Sequence, residues 1–566
     1  MSNFLDTIKL PEGIKELDIN GLNAICKEVR DYIIITVLRS GGHLASSLGV
    51  VELTTALLYV FDAKTDRILF DVGHQCYPYK ILTDRKDRFK TLRQHGGISG
   101  FPSPKESSYD KLVAGHAGTA LAEALGYAIA DGLSGEKHHN ISILGDGVFA
   151  NGLTLEALNN INSFGKQIVI INDNEFTIDH SVGGYSGYFK KLRAKKFSGK
   201  VEYGVFSDLD VGYIGVVDGH NIEELIQALE LAKDEDKSVF VHISTVKGKG
   251  YLPAEDNPVK NHSVGADKGF SVCEGESILR LAEKDEKVVV IVAAMGDGNG
   301  LAEFKKLFPN RYIDVGIAED LAVSVACSLA RSGYKPIVCI YSTFIQRSFD
   351  QIIIEAKDLP IVYVLGRSGI VGGDGETHQG IFAYQTFCAA SNVLISYPFG
   401  VEEFDSVLNW SINEGRSIAI CIPKENYSNN TNDKNYPNWE LVKATENPAA
   451  VIYAVGAESV KNAIYVSEML EYNDINVDVV NVRFPNVIDK QLVDKYPKCF
   501  VVDESYFEGG FSSKLSGYTK ITHSFVLECV PTHATKEELL FDAGMSKGKI
   551  YTAIKKELSG EEDDET

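Results

Sequence analysis

Asp146 and Asn174 are the residues whose types and spacing most directly specify chemistry. Asp146 sits between two glycines in Gly145-Asp146-Gly147, at the end of the apolar run Ile141-Ser142-Ile143-Leu144. Asn174 closes a second run, Ile168-Val169-Ile170-Ile171, through Asn172-Asp173. Between the two runs, residues 152–163 place Leu153, Leu155, Ala157, Leu158 and Ile161 at helical spacing. Strand, helix, strand is a crossover unit, and its strands lie parallel in one sheet. Their carboxyl ends share the edge at which open α/β sheets bind ligands. One carboxylate and one amide carbonyl there make a hard oxygen site with positions left open. Mg2+ suits it, because that ion takes few protein ligands and completes its octahedron with phosphate and water. Gly145 and Gly147 remove side chains where a diphosphate would approach the backbone. The plain alternative is an ordinary turn in a doubly wound sheet.

Other candidates are scattered along the chain. His43 follows Ser40-Gly41-Gly42, and His74 lies in Asp71-Val72-Gly73-His74-Gln75. Each stands beside glycine at an element end, outside any apolar stripe. Neutral imidazole can donate to phosphate or hydroxyl and move protons near neutral pH. Gly115-His116-Ala117-Gly118-Thr119 opens a helix of small residues, a start that offers backbone N–H groups to an anion. Glu319 opens an alanine-rich helix after Tyr312-Ile313-Asp314-Val315-Gly316; a carboxylate there is also the routine complement of the helix dipole. Arg347 and Arg367 follow apolar strands and suit bidentate phosphate binding, with surface ion pairs as the alternative. The loop Gly372-Gly373-Asp374-Gly375-Glu376-Thr377-His378-Gln379-Gly380 packs charge into glycine.

Alternating strand and helix patterns across 566 residues predict an α/β chain of about three domains, at 1–270, 271–445 and 446–566. The segment 253–269, which holds His262, reads as a linker, and 183–206 as an irregular, basic surface segment. A net charge of −22 argues against a nucleic-acid surface. The nine cysteines offer no zinc knuckle or redox pair, which fits a reducing cytoplasm. The first residues lack the regions of a signal peptide, and no apolar run reaches membrane-spanning length. The expectation is a cytoplasmic protein with no membrane or nucleic-acid partner. The acidic tail 561–565 reads as a solvated end.

Taken in order, these motifs resemble the 1-deoxy-D-xylulose-5-phosphate synthase family, thiamine-diphosphate enzymes of the transketolase class. Four segments carry the resemblance: Phe70-Asp71-Val72-Gly73-His74-Gln75, Gly145-Asp146-Gly147, Ile340-Tyr341-Ser342-Thr343-Phe344, and Asp374-Gly375-Glu376-Thr377-His378-Gln379-Gly380. It extends from Gly42-His43 to Lys536-Glu537-Glu538-Leu539. The resemblance implies three doubly wound α/β domains of transketolase type and a homodimer. It implies thiamine diphosphate and Mg2+ as cofactors, with pyruvate and D-glyceraldehyde 3-phosphate as substrates. The first domain would bind the diphosphate, the second the aminopyrimidine.

By the same resemblance Asp146, Asn174 and the backbone carbonyl near Phe176 would ligate the metal. His74, Gly115, His116, Ala117, Gly147, Val148, Asn174 and Tyr251 would contact the cofactor. Glu319 would hydrogen-bond the pyrimidine ring and Phe344 would stack on it. His43, His262, Asp374 and His378 would serve catalysis, and Tyr341, Arg347, Arg367 and Lys424 the substrates. The chain departs from the family pattern at Asp320-Leu321, His116-Ala117-Gly118-Thr119 and Pro423-Lys424-Glu425, where Lys424 replaces an arginine fork by a point charge. Those departures keep open a transketolase-like enzyme with another 2-oxoacid or aldehyde.

Overall fold

The computed structural model describes residues 4–176, 180–194, 204–265, 269–428 and 434–560. The chain divides into two compact units, residues 1–266 with 315–318, and residues 267–314 with 319–566.

The first unit is built on five parallel strands: β1 (Arg67–Phe70), β2 (Asn140–Gly145), β3 (Ile168–Asp173), β4 (Gly212–Asp218) and β5 (Val239–Ser244), in the order β1-β2-β3-β5-β4. Every residue of β3 is buried, as a parallel sheet covered on both faces requires. Successive side chains feed opposite cores. Ile168 and Ile170 join the helices Ile19–Ser40, Val51–Val60 and Ile222–Asp234, whereas Val169 and Ile171 join Thr119–Ser134 and Gly152–Asn159. The crossover between β2 and β3 is present, with Gly145 opposite Asn172.

The segment 183–206 is not irregular where it is described. Gly183–Arg193 is a helix. Its glycines are confined to its first half, Phe189 and Leu192 are buried in the second core, and Lys190, Lys191 and Arg193 complement the dipole in its last turn. Residues 195–203 lie outside the described residues.

The second unit holds two sheets. One has β6 (Val288–Val292), β7 (Tyr312–Asp314), β8 (Lys335–Tyr341), β9 (Val362–Gly366), β10 (Leu394–Ser396) and β11 (Ile418–Cys421), all parallel, in the order β10-β11-β9-β8-β6-β7. The other has β12 (Glu440–Lys443), β13 (Ala450–Val455), β14 (Val477–Asn481), β15 (Cys499–Tyr506) and β16 (His523–Leu527), in the order β12-β14-β13-β15-β16. Strand β12 is antiparallel to β14 and lies before residue 446. It is only partly buried and carries Lys443, in keeping with an edge position. Among the described residues, no helix is long and apolar enough to cross a membrane.

Candidate active site

In the first unit the carboxyl ends of β2 and β3 deliver Asp146 and Asn174 to one edge of the sheet. Asp146 begins a tight turn, Asp146–Ala150, that also carries Gly147 and the buried Val148. One of its oxygens, Oδ2, accepts from the Ser181 hydroxyl at 2.7 Å; the other, Oδ1, is buried with no partner. Burial, and then the nearby Asp173 carboxylate, push the Asp146 carboxyl up to about 7 against the pull of Ser181 and Lys247. A buried carboxylate with an orphan oxygen is an expensive arrangement unless a cation completes it. Asn174 turns its Oδ1 to the Phe176 backbone N–H at 3.1 Å, and the Phe176 ring stacks on His180 at 4.5 Å.

Lys247 follows β5 and is 5% exposed. Burial lowers its ammonium to about 8, offset by the Asp146 charge. Its turn is fixed because Gly248 N–H donates to the Ala45 carbonyl (2.8 Å) and Arg30 Nε donates to the Lys249 carbonyl (2.9 Å). Tyr251 ends the turn, half-buried against the first core. Lys247 was not among the residues singled out above. A lysine at a strand end followed by alternating glycines was the signal available.

Three histidines from distant parts of the chain meet in this unit. The rings of His43, His74 and His262 lie 5.4 to 6.0 Å apart, centroid to centroid. The 253–269 segment is therefore no mere linker. Val264 and Gly42 exchange backbone hydrogen bonds at 2.8 and 3.0 Å, and Asn261 accepts from Ala45 N–H, which zips the segment to the His43 loop. Ser46 Oγ lies 3.3 Å from His262 Nδ1. Burial, then Lys247 and the neighbouring imidazoles, hold His262 well below the usual imidazole range, and burial with Lys247 holds His74 at about 3.

The proton on neutral His74 can be placed. Asn172 Nδ2 donates to Gln75 Oε1 at 3.0 Å, so Gln75 Nε2 is the donor toward His74 Nε2 at 3.3 Å. His74 therefore carries its hydrogen on Nδ1, which is buried without a partner, a donor awaiting an acceptor.

Gly115, His116 and Ala117 precede the helix Thr119–Ser134, with Gly115 and Ala117 buried and His116 half-buried. The helix start is not open to an anion as expected. Asp71 already accepts from the N–H groups of Gly118 (2.9 and 3.0 Å) and Ala120 (3.0 Å). This remote carboxylate caps the helix in place of a local one.

In the second unit Glu319 opens the helix Glu319–Arg331 and is 4% exposed, with Oε2 lacking any partner. Burial raises its carboxyl to about 7, opposed by the charge of Arg347. Phe344 stands in the short turn after β8, its ring nearly parallel to that of Tyr341 in a stacked arrangement (centroids 6.1 Å, 11°) and edge-on to His378 at 5.5 Å. His378 Nδ1 lies 3.0 Å from Thr377 Oγ1. Arg367, at positive φ after β9, stacks over Tyr341 at 4.5 Å and pairs with Asp374 at 3.0 Å.

Tyr341, Phe344, Arg367, Asp374 and His378 thus form one cluster, and Arg347 acts on Glu319. Among the described residues, no hydrogen bond or ion pair brings Lys424 into that cluster. It lines a cavity of about 720 Å³ with Lys536, which pairs instead with Glu504 at 3.2 Å and Glu425 at 3.5 Å.

Residues 5–205 and 198–245 match the family of 1-deoxy-D-xylulose-5-phosphate synthase, 270–430 the transketolase pyrimidine-binding domain, and 440–550 the transketolase C-terminal domain. The 1-deoxy-D-xylulose-5-phosphate synthase of Clostridium kluyveri is 38% identical over 579 residues, covering 92% of this chain and 92% of that protein. That of Caldanaerobacter subterraneus subsp. tengcongensis is 39% identical over 567 residues, covering 90% and 91%. That of Clostridium tetani is 36% identical over 620 residues, covering 98% and 100%. With its carboxylate, imidazole and arginine positions laid out as above and this identity spread over nearly its whole length, the chain belongs to the 1-deoxy-D-xylulose-5-phosphate synthase family.

Proposed function

We propose that the chain condenses pyruvate with D-glyceraldehyde 3-phosphate to 1-deoxy-D-xylulose 5-phosphate, releasing CO2, with thiamine diphosphate and Mg2+ as cofactors. The observation that carries this reading is Glu319. A carboxyl buried at a helix start, with one orphan oxygen and raised to about 7, can hold or share a proton with a ring nitrogen, which a solvated helix-start carboxylate would not.

The residues fit the cofactors. Asp146 Oδ1, the Asn174 side chain and the Phe176 carbonyl would be the oxygen donors for Mg2+, which would supply the cation that the orphan oxygen lacks. His74 Nδ1–H and Lys247 suit diphosphate oxygens, and Gly115, His116, Ala117, Gly147 and Val148 offer close backbone. Tyr251, half-buried at the end of the Lys247 turn, would contact the cofactor from that side. Thiamine diphosphate, when bound, supplies a carbon acid and an electron sink for loss of CO2 from a 2-oxoacid.

The remaining roles belong to the chain's own side chains. Phe344 offers a flat face to an aromatic ring, stiffened by Tyr341. His43, His262 and His378 hydrogen-bond substrate carbonyl and hydroxyl oxygens. Arg367, pre-aimed by Asp374 and Tyr341, holds the acceptor phosphate with Arg347. The first unit would serve the diphosphate, and in the second unit the β6–β11 sheet would serve the pyrimidine and the β12–β16 sheet assembly. The location we propose is the cytoplasm, and the assembly a homodimer; apolar residues left exposed, Ile129 (41%) and Leu133 (85%) on one helix and Ile354 (68%) in the second unit, favour a subunit interface.

The second reading keeps the cofactor and changes the acceptor. Lys424 and its acidic neighbour Glu425, which pairs with Lys536, favour it. Product identification by mass, after incubation with pyruvate and a panel of aldehydes, tests both. The expected product is 1-deoxy-D-xylulose 5-phosphate with glyceraldehyde 3-phosphate the best acceptor; a better pair establishes the second reading.

A further inference from the structure

The loop that carries Asp374 and His378 leaves one sheet of the second unit and is held by the other. It follows β9, and its ends are zipped where the Gly369 and Gly380 backbones exchange hydrogen bonds at 3.0 and 2.9 Å. Toward its own sheet it meets the turn after β8: Ser342 Oγ donates to the Gly380 carbonyl at 3.2 Å, and Thr343 Oγ1 to the Thr377 carbonyl at 2.9 Å. Its two feet, Ile370 and Ile381, are buried in the core of the β12–β16 sheet with Ile452, Phe500 and Val502. The Tyr506 N–H of β15 donates to the Ile381 carbonyl at 3.1 Å.

Two side chains complete the attachment. Glu504 lies in the buried strand β15 and is 8% exposed, where a carboxylate is costly unless paired. Its Oε2 accepts from the Ile370 backbone N–H at 3.0 Å and meets Lys536 Nζ at 3.2 Å. That approach depends on Gly369, where φ is +82° and a Cβ would stand 2.6 Å from Glu504 Oε2. Gln379 reaches the opposite way, from the loop to the segment that follows β16. Its Oε1 accepts from the Val371 N–H at 2.8 Å, and its Nε2 donates to the carbonyls of Thr532 (3.0 Å) and Pro531 (3.4 Å). A Cβ on Gly372 would stand 3.1 Å from the Ala534 carbonyl, so the loop backbone lies directly on that segment.

The consecutive N–H groups of Ile370 and Val371 are thus fixed by one side chain of β15 and one that is itself tied to 531–532. A backbone N–H has no rotamer to change, so these bonds set the path of the chain as it enters the stretch that holds Asp374. Gln379 directly follows His378, and its amide is used at both ends, which fixes its orientation. A buried carboxylate paired with lysine stabilises a fold little better than apolar packing does; what it supplies here is direction.

We infer that Glu504 and Gln379 are positioning residues that set the loop 369–380, so that the β12–β16 sheet aims Asp374 and His378 in addition to its part in assembly. This rests on the proposed function only for what those two side chains face.

The test pairs hydrogen exchange read by mass spectrometry on the full chain with steady-state rates per thiamine-diphosphate-loaded site. Peptides covering 369–380 are compared with those of β13 and β14. Glu504→Ala removes the acceptor for the Ile370 N–H, Gln379→Met removes the acceptor for the Val371 N–H, and Glu504→Gln keeps an acceptor without the charge. The first two should each speed exchange in 369–380 by about tenfold or more while β13 and β14 exchange as in wild type. They should also lower kcat per loaded site by about tenfold to a hundredfold through misorientation. Glu504→Gln should recover most of both losses. Gln379→Met changes no charge and reads the loop even where Glu504→Ala fails to fold. Loop exchange equal to wild type in Glu504→Ala and Gln379→Met, a loosened loop with unchanged kcat, or an equal loss of protection in β13 and β14 overturns the inference. Absence of product from the wild-type protein would refute the proposed reaction and leave the exchange comparison to decide the hold on the loop.

Discussion

Asp146→Asn should make the metal-free protein more stable while abolishing its response to Mg2+ and thiamine diphosphate. The Asp146 carboxyl is 5% exposed and rises from 3.8 to about 7, chiefly through burial and then through Asp173. A raised carboxyl means that the folded state holds the proton more tightly than the unfolded chain, so stability falls as pH climbs from 3.8 to about 7 and is level above it. At 1.36 kcal/mol per unit, the ionised group costs the metal-free fold on the order of 4 kcal/mol at pH 8 and about 1 to 2 kcal/mol at pH 5. Asparagine has nearly the same shape, still accepts from Ser181, and never ionises. Urea unfolding of the metal-free wild type and variant at both pH values reads the difference. The variant should gain at pH 8, gain less at pH 5, and show no rise in Tm with Mg2+ and thiamine diphosphate where the wild type shows one. A variant less stable than wild type at pH 8, a gain equal at both pH values, or an undiminished Tm response to the cofactors would refute the reasoning.

Glu319→Ala should reduce product formation by about a thousandfold or more while leaving Tm unchanged or higher, because it removes a strained buried carboxyl with no partner at Oε2; steady-state rates and a melting curve check both halves. Gly118→Ala should cost about 2 to 4 kcal/mol in urea unfolding: φ is +89° there, and the added Cβ would stand 2.1 Å from Asn151 Oδ1. Arg483→Met should cost about 3 to 5 kcal/mol, because it strands the fully buried Glu403 that Arg483 meets at 3.2 Å; replacing Glu403 as well should recover much of the loss.

The sequence by itself determined the parallel sheets, the crossover from Asp146 to Asn174, and the kinds of residue available for chemistry. These depend on local spacing: buried strands read as apolar runs, and glycine beside a charged residue marks a strand end. The helix Gly183–Arg193 was not legible, because its glycines speak against a helix and only burial of Phe189 and Leu192 in a core formed elsewhere overrides them. The tertiary structure alone decided that His43, His74 and His262 share one space, that Asp71 closes a helix start which looked open, and that Lys424 keeps company with Lys536 instead of Arg367. It also decided which polar atoms go without partners, on Asp146, His74 and Glu319, and so where a ligand is owed. Burial and hydrogen-bond pairing arise from contacts between segments far apart in the chain, and no local pattern of residues encodes them.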